Sequence, residues 1–245
     1  MTSLPPVFST LLGRHGGLVG DMACVIGRIH AERRSFSTGQ TIMRGGNAPP
    51  FCCVIESGMA MRCHRAHGRT TGRVISGLHL PGDLIEAHGA LQSRIGHDII
   101  ACGPTTVAMI EHAHLRALST EHPPLTRLLM SMTAREAAIS RRWLLVAGAL
   151  RGGVGRLAHL LAEIRFRLDD AGVLRGDSYE LPLLQRDLGD ALGYSPVHVN
   201  RAARELRESG LIEWQGFHIR LPDPAALNRV ARFDPAYLRL QALLS

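Results

Sequence analysis

Between residues 181 and 210 the apolar positions fall into two short helical sets on either side of a glycine. Leu188, Ala191 and Leu192 share one face, and Val199, Ala203 and Leu206 share another. Steps of three and four residues mark amphipathic helices. Gly193 supplies the turn. Ser195 is a good N-cap, because its hydroxyl accepts from an unpaired amide of the first turn. Pro196 suits the first helical position, where its missing N–H costs nothing. The outward face of the second helix then carries Val197, His198, Asn200, Arg201 and Arg204. A helix-turn-helix whose second helix is dressed this way is the pattern of a major-groove reader. The same two helices around a glycine also occur in helical proteins that touch no nucleic acid. Alternating runs at 211–214 and 217–221 around Gln215-Gly216 predict a hairpin, and a hairpin at this place is the wing of a winged helix.

Upstream the pattern changes twice. The first forty residues read as loosely patterned helix. From Ser35 short β-prone runs broken by glycine predict an antiparallel β-barrel or sandwich, with further strands at 98–102 and 105–111. Pro123-Pro124 opens a long helix to about Gly148. Its apolar seam is Leu125, Leu129, Met132, Ile139, Trp143, Val146 and Leu150, broken only by Glu136. A repeat this long predicts a coiled-coil-like dimer helix, although a helix packed on its own barrel would show the same period. Arg151-Gly152-Gly153 reads as a hinge. An amphipathic helix follows through Leu157, Leu160, Leu161 and Ile164, then a turn at 169–177. The tail, 223–245, predicts one or two further helices. The expected class is α+β, in three parts: a sensor-like barrel at 1–122, a dimerisation helix at 123–150 and a winged helix at 151–245.

Composition narrows the function classes. A chain of 245 residues is long enough for two cores. The formal charge is +7, and all 28 basic residues are arginine. Replacement of lysine on this scale points to a GC-rich genome rather than a binding requirement. Arginine is nonetheless the better bidentate partner for phosphate and guanine. No apolar run approaches the roughly 20 residues of a membrane helix, and the N-terminus lacks a signal-peptide pattern, so a cytoplasmic protein is expected. Five scattered cysteines argue against a disulfide framework. Cys52 and Cys53, adjacent on a predicted strand, would point to opposite faces. Thirteen histidines include the pairs His64/His67 and His112/His114, but two ligands make no metal site, and none is expected. Cys63 beside His64 lacks an activating partner for catalysis.

The order of parts resembles the Crp/Fnr family of bacterial transcription regulators. The likeness rests on Leu80-Pro81-Gly82-Asp83-Leu84, a barrel turn; on the run from Arg156 to Leu161; on Leu192 through Arg201; and on Phe233-Asp234-Pro235-Ala236-Tyr237-Leu238 in the tail. The resemblance implies a cyclic-nucleotide-binding-like jelly roll, a homodimer, double-stranded DNA and RNA polymerase as partners, and no catalysis. It also implies that Arg201 forks onto guanine O6 and N7, while Val197 meets a thymine methyl and His198 donates to a base or phosphate. Gln185 and Arg186, and His218 and Arg220 of the wing, would hold the backbone. For Asn200 and Arg204 a solvated helix face weighs equally.

The chain also departs from the family. Where relatives reading a GTGA-type half-site carry an Arg-Glu pair, Pro196 and Val197 stand. The glutamate that holds the ribose in cyclic-AMP-binding members falls on Ala87, next to Glu86. Their phosphate-binding Arg-Ser pair falls at His97-Asp98, where an aspartate would repel phosphate. Cyclic AMP is therefore not expected, nor an iron–sulfur cluster, since only Cys24 lies near the N-terminus; no cofactor is assigned, and any small-molecule effector is unidentified. Two alternatives are a cupin-type metal-dependent barrel enzyme and a DNA-binding protein that needs no effector.

Overall fold

The computed structural model describes residues 3–15, 21–65, 72–91, 94–149 and 152–239. Leu150, Arg151 and His67 lie outside them. Helices α1 (Pro6–Arg14) and α2 (Met22–Gly27) precede eight strands: β1 (Glu32–Phe36), β2 (Thr41–Met43), β3 (Phe51–Ser57), β4 (Ala60–Arg65), β5 (Arg73–His79), β6 (Leu84–Ile85), β7 (Asp98–Ala101) and β8 (Thr105–Glu111). Then come α3 (His112–Glu121), α4 (Pro123–Ala149), α5 (Gly153–Asp170), β9 (Ser178–Glu180), α6 (Gln185–Leu192), α7 (Pro196–Glu208), β10 (Glu213–Gln215), β11 (His218–Arg220) and α8 (Pro224–Ala231).

The strands make two four-stranded antiparallel sheets, ordered β1-β8-β3-β6 and β2-β7-β4-β5. The period-two alternation of side chains decides what each sheet faces. Along β3, Cys53 and Ile55 enter the interior with Ile42, Ile99, Val107 and Met109. Cys52 and Val54 turn outward under α1, α2 and α4. The two adjacent cysteines therefore do lie on opposite faces. Along β4, Ala60 points inward, whereas Met61 and Cys63 point out toward α5 and α7. The outer face of the second sheet thus shares one continuous core with the C-terminal helices. Each fully buried leucine in that core, such as Leu157 or Leu188, contributes roughly 1.5–3 kcal/mol.

Two expectations change. Strand β1 starts at Glu32, before the predicted texture change at Ser35. Its ERRSF sequence is almost wholly exposed, so edge pairing with β8, and not apolar alternation, makes it a strand. The seam read along the long helix turns inward on its own chain. Leu125 and Met132 pack under the first sheet, and Trp143 packs on the C-terminal core. The face left outside carries Met130, Leu144 and Leu145, each more than 60% exposed. The physical reason is that an amphipathic stripe satisfies itself on whichever apolar surface is nearest.

The wing forms as predicted, with β10 and β11 paired from Glu213↔Arg220 to Gln215↔His218. Strand β9, which the pattern did not signal, extends it to three strands. The tail supplies α8 and a 3-10 turn, Pro235–Leu238, that reaches back to α4: the Leu238 carbonyl accepts from Arg135 Nε–H at 2.9 Å.

Candidate nucleic-acid interface

The reading helix is built by local chemistry. At the start of α6 the Asp187 carboxylate accepts from the Leu184 N–H at 2.8 Å, satisfying an orphan amide. Helices α6 and α7 approach closely at Gly189, where a Cβ would stand 2.5 Å from the Tyr194 carbonyl oxygen. Gly193 closes α6 with φ +71°, a left-handed conformation that glycine adopts freely. Arg156 of α5 braces this turn, donating to the Leu192 carbonyl at 3.1 Å and stacking over the Tyr194 ring.

Ser195 caps α7 as predicted. Its Oγ accepts from the His198 backbone N–H at 3.4 Å and lies 2.7 Å from His198 Nδ1. The second contact holds the exposed imidazole in one orientation beside the cap. Val199, Ala202, Ala203 and Leu206 are buried under α7. Ser195, Pro196, Val197, His198, Asn200, Arg201 and Arg204 are all exposed, Val197 at 77%. Arg204 Nε sits 3.7 Å from Glu208, a loose contact in water, and Arg201 makes no ion pair among the described residues. Gln185 and Arg186 flank the same surface and are exposed. The wing bases are engaged by acids: His218 with Glu180 at 3.0 Å and Arg220 with Glu213 at 2.6 Å. They are weaker phosphate candidates than the pattern suggested.

One contact escaped the sequence. Arg73 of β5 reaches across to α6, where Nη2–H donates to Asp187 and Nε–H donates to Asp190 at 2.8 Å. The roll thereby grips the helix that carries Gln185 and Arg186. Nothing in a lone arginine on a strand signals a partner more than a hundred residues away.

The region where cyclic-AMP-binding relatives hold their ligand is different in kind. Glu86 is fully buried and has φ +59°, in the left-handed region. Burial opposes its charge, yet the hydrogen bond from His97 and the nearby His97, Arg62 and His88 hold its carboxyl at about 2. His97 Nε2 lies 2.8 Å from Glu86 Oε1. Arg62 Nη2–H donates to Glu86 at 3.3 Å and, more closely, to Glu136 of α4. Asp98 accepts from the Gly45 N–H at 2.7 Å and turns its charge to that loop. The cavity left between roll and α4 is about 20 Å³, lined by Arg62, His79, Glu136 and Ile139 among others. Small-molecule sites run to roughly 300–1,000 Å³. These residues do not fit a cyclic nucleotide.

Other cofactor chemistry fits no better. Burial pushes the Cys52 thiol up to about 12 and Cys63 to about 11, away from the thiolate that a cluster takes as ligand. The cupin-type alternative asks for histidines around an open metal position. Here His97 and Glu86 are engaged by a guanidinium instead, and no group of three metal-ligating side chains occurs among the described residues. No helix among those residues is long and apolar enough to cross a membrane.

Residues 155–230 match the Crp-like helix-turn-helix domain, and residues 33–122 match the cyclic nucleotide-binding domain. The nitrogen fixation regulation protein FixK of Bradyrhizobium diazoefficiens is 30% identical over 206 residues, covering 82% of this chain and 83% of that protein. The transcriptional activator protein FnrL of Cereibacter sphaeroides is 28% identical over 207 residues, 82% of this chain and 81% of that one. Among solved structures, FixK2 from Bradyrhizobium japonicum superposes with a TM-score of 0.71 at 24% identity, over 82% of this chain and 96% of that chain. A CooA mutant from Carboxydothermus hydrogenoformans shares the fold with a TM-score of 0.61 at 15% identity, over 82% and 88%. A roll of the nucleotide-binding type, a winged helix behind it and a regulator 30% identical over most of both chains place this protein in the Crp/Fnr family of DNA-binding transcriptional regulators.

Proposed function

We propose that the protein acts as a homodimer on a two-fold DNA site, each protomer laying α7 in the major groove, without cyclic AMP. The observation that carries this reading is the division of α7: an inner face buried on α5 and α6, and an outer face from Ser195 to Arg204 wholly in solvent. Arg201, free of ion pairs among the described residues, forks onto a guanine. Val197 meets a thymine methyl. His198, oriented by Ser195, presents its outer ring nitrogen to a base or phosphate. Gln185, Arg186 and the Ser195-Pro196 turn hold the backbone, and Asn200 and Arg204 line the edge of the contact. Pro196 and Val197 in place of an Arg-Glu pair set the half-site apart from the GTGA type.

The dimer forms on the exposed side of α4. Met130, Ala137 and Leu144 recur at seven-residue steps there, with Leu145 beside them. The parts act as a roll at 1–122, a dimer helix at 123–150 and a reader at 151–245. The chain works in the cytoplasm, with RNA polymerase as its further partner, and catalyses no reaction.

Selection of bound DNA from a random pool tests the reading. The expected product is a pair of inverted half-sites about 10–10.5 base pairs apart, or a multiple of that spacing. Arg201→Ala should weaken the selected site by about 1–3 kcal/mol and blur one base pair per half-site. Equal losses on selected and random DNA would reduce Arg201 to a phosphate contact. A single unpaired half-site would remove the dimer.

A further inference from the structure

We propose that Arg62 is a built-in effector: its guanidinium occupies the ligand region of the roll, ties the roll to α4 and keeps the reading end presented to DNA with no small molecule bound. The inference rests on the DNA-reading function above and adds how that function is controlled.

The alternation of β4 aims Arg62 inward, since Ala60 lies in the interior while Met61 and Cys63 lie outside. There it touches three elements. Its Nε lies 3.2 Å from His97 Nε2, whose own proton goes to Glu86, and Nη2–H donates to Glu86 at 3.3 Å and to Glu136 of α4. Glu86 comes from the segment after β6, His97 from the approach to β7, and Glu136 from the long helix. One cation therefore joins a buried carboxylate of the roll to a carboxylate of α4.

The backbone is shaped for this contact. A glutamate in the left-handed region is strained, because its Cβ crowds the following carbonyl. Such strain persists where surrounding structure demands it, which marks a candidate functional position. The demand here is to bring Glu86 under the guanidinium. With Arg62 in place, about 20 Å³ remains, room for a single water and far from room for a nucleotide.

The grip continues to the reading end. Arg135, the residue before Glu136, donates to Asp83 of the Gly82-Asp83 turn at 3.1 Å. The same carboxylate accepts from Arg167 of α5, and Arg167 Nη1–H donates to Glu163 at 3.2 Å. Trp143 of α4 also donates to Glu163 at 3.2 Å. Consecutive residues of α4 are thus held by charges of opposite sign, and one of those holds is shared with α5. In this arrangement the whole outer face of α7 is open to solvent.

The test uses the full chain and its selected DNA site. Wild-type affinity should be unchanged by exhaustive dialysis, by cyclic AMP and by the small-molecule fraction of a cell extract. Arg62→Ala should lose about tenfold or more in specific affinity, a change of about 1.4 kcal/mol. Millimolar methylguanidinium should restore that affinity and raise the melting temperature of Arg62→Ala, with neither effect on wild type. Arg62→Met, which fills the space without charge, should lose affinity and not respond. A wild type that gains tenfold on adding extract has an external effector, and the inference fails. It fails equally if Arg62→Ala or Arg62→Met binds DNA like wild type, or if methylguanidinium neither stabilises nor rescues Arg62→Ala. A wild type that selects no DNA at all overturns the DNA-reading function itself, while the melting shift still reports whether the guanidinium site exists.

Discussion

The reading helix and the Arg62 seam treat charge in opposite ways. On α7 the arginines stand in water, and Arg204 and Glu208 touch at 3.7 Å within one turn. Such pairs are worth about 0.3–0.5 kcal/mol, so exchanging them for a phosphate costs little. In the seam, groups from five segments are brought together: Arg62, His79 and Glu86 are buried, and His97 and Glu136 are half-buried beside them. An unpaired charge there has no water to turn to. The lesson is that the two regions of this chain carry different obligations. The reader keeps its charges available, and the seam consumes its own.

Substitutions on the two sides should separate them. The largest effect is expected at Asp83, which meets both Arg135 and Arg167 in the interior and whose carboxyl, despite burial, those two arginines hold below its ordinary value. Asp83→Ala removes the carboxylate that two buried guanidinium groups share. Among the described residues it leaves Arg135 only the Asp170 carboxylate at 3.5 Å and Arg167 only that of Glu163 at 3.2 Å, and it should cost about 3–5 kcal/mol in denaturant unfolding. A loss under 1 kcal/mol would show that the interface is wetter than its burial indicates.

Acid should act next, and most strongly on the seam, although burial also lowers His159 and His112 and gives them a share in the loss. Burial, reinforced by Arg62, pushes His79 down to about 3, so the folded protein keeps it neutral while the unfolded chain takes up a proton below 6.5. Its contribution is complete above pH 6.5 and is lost as pH falls toward 3. Glu86, held at about 2 against an ordinary 4.5, adds a further loss between those values, on the order of 3 kcal/mol in all. Unfolding free energy should therefore decline from pH 6.5 downward. His79→Leu should make the decline shallower, most clearly above pH 4.5, and Glu86→Gln should make it shallower below 4.5. A wild type with level stability from pH 6.5 to 4.5 would contradict a buried neutral His79.

Effects on the reader should be smaller. Ser195→Ala removes the cap of α7 and the partner of His198 Nδ1, and should lower stability by about 1 kcal/mol. Smallest of all, Arg204→Ala should leave stability within about 0.5 kcal/mol of wild type. If Arg204 meets a phosphate, the dependence of log affinity on log salt should become shallower by about 1. An unchanged slope assigns Arg204 to solvent.

The reader was legible in the sequence because its determinants are neighbours. Ser195, Pro196 and Gly193 act on residues within one turn, and the buried set Leu188, Val199, Ala203 and Leu206 keeps the helical period. The roll was legible in class, through glycine-broken β-prone runs, but not in detail. Strand β1 carries no apolar alternation, and α3 follows β8 without a break in sequence. The seam was hidden more deeply. Glu136 looked like a flaw in an apolar stripe, yet it is the residue that receives Arg62, and Arg73 gave no sign of holding α6.

The sequence by itself determined the helix-turn-helix, its cap and its wing, and the long helix. Those are short-range properties, set by period, capping and residue identity. Only the tertiary structure decided which way the stripe on α4 faces, that Asp83 joins the roll to α4 and α5, and that Arg62 fills the ligand region. Those outcomes depend on which charges are buried together, and burial is a property of the folded whole: the same arginine is a solvated point on α7 and a structural counter-ion on β4.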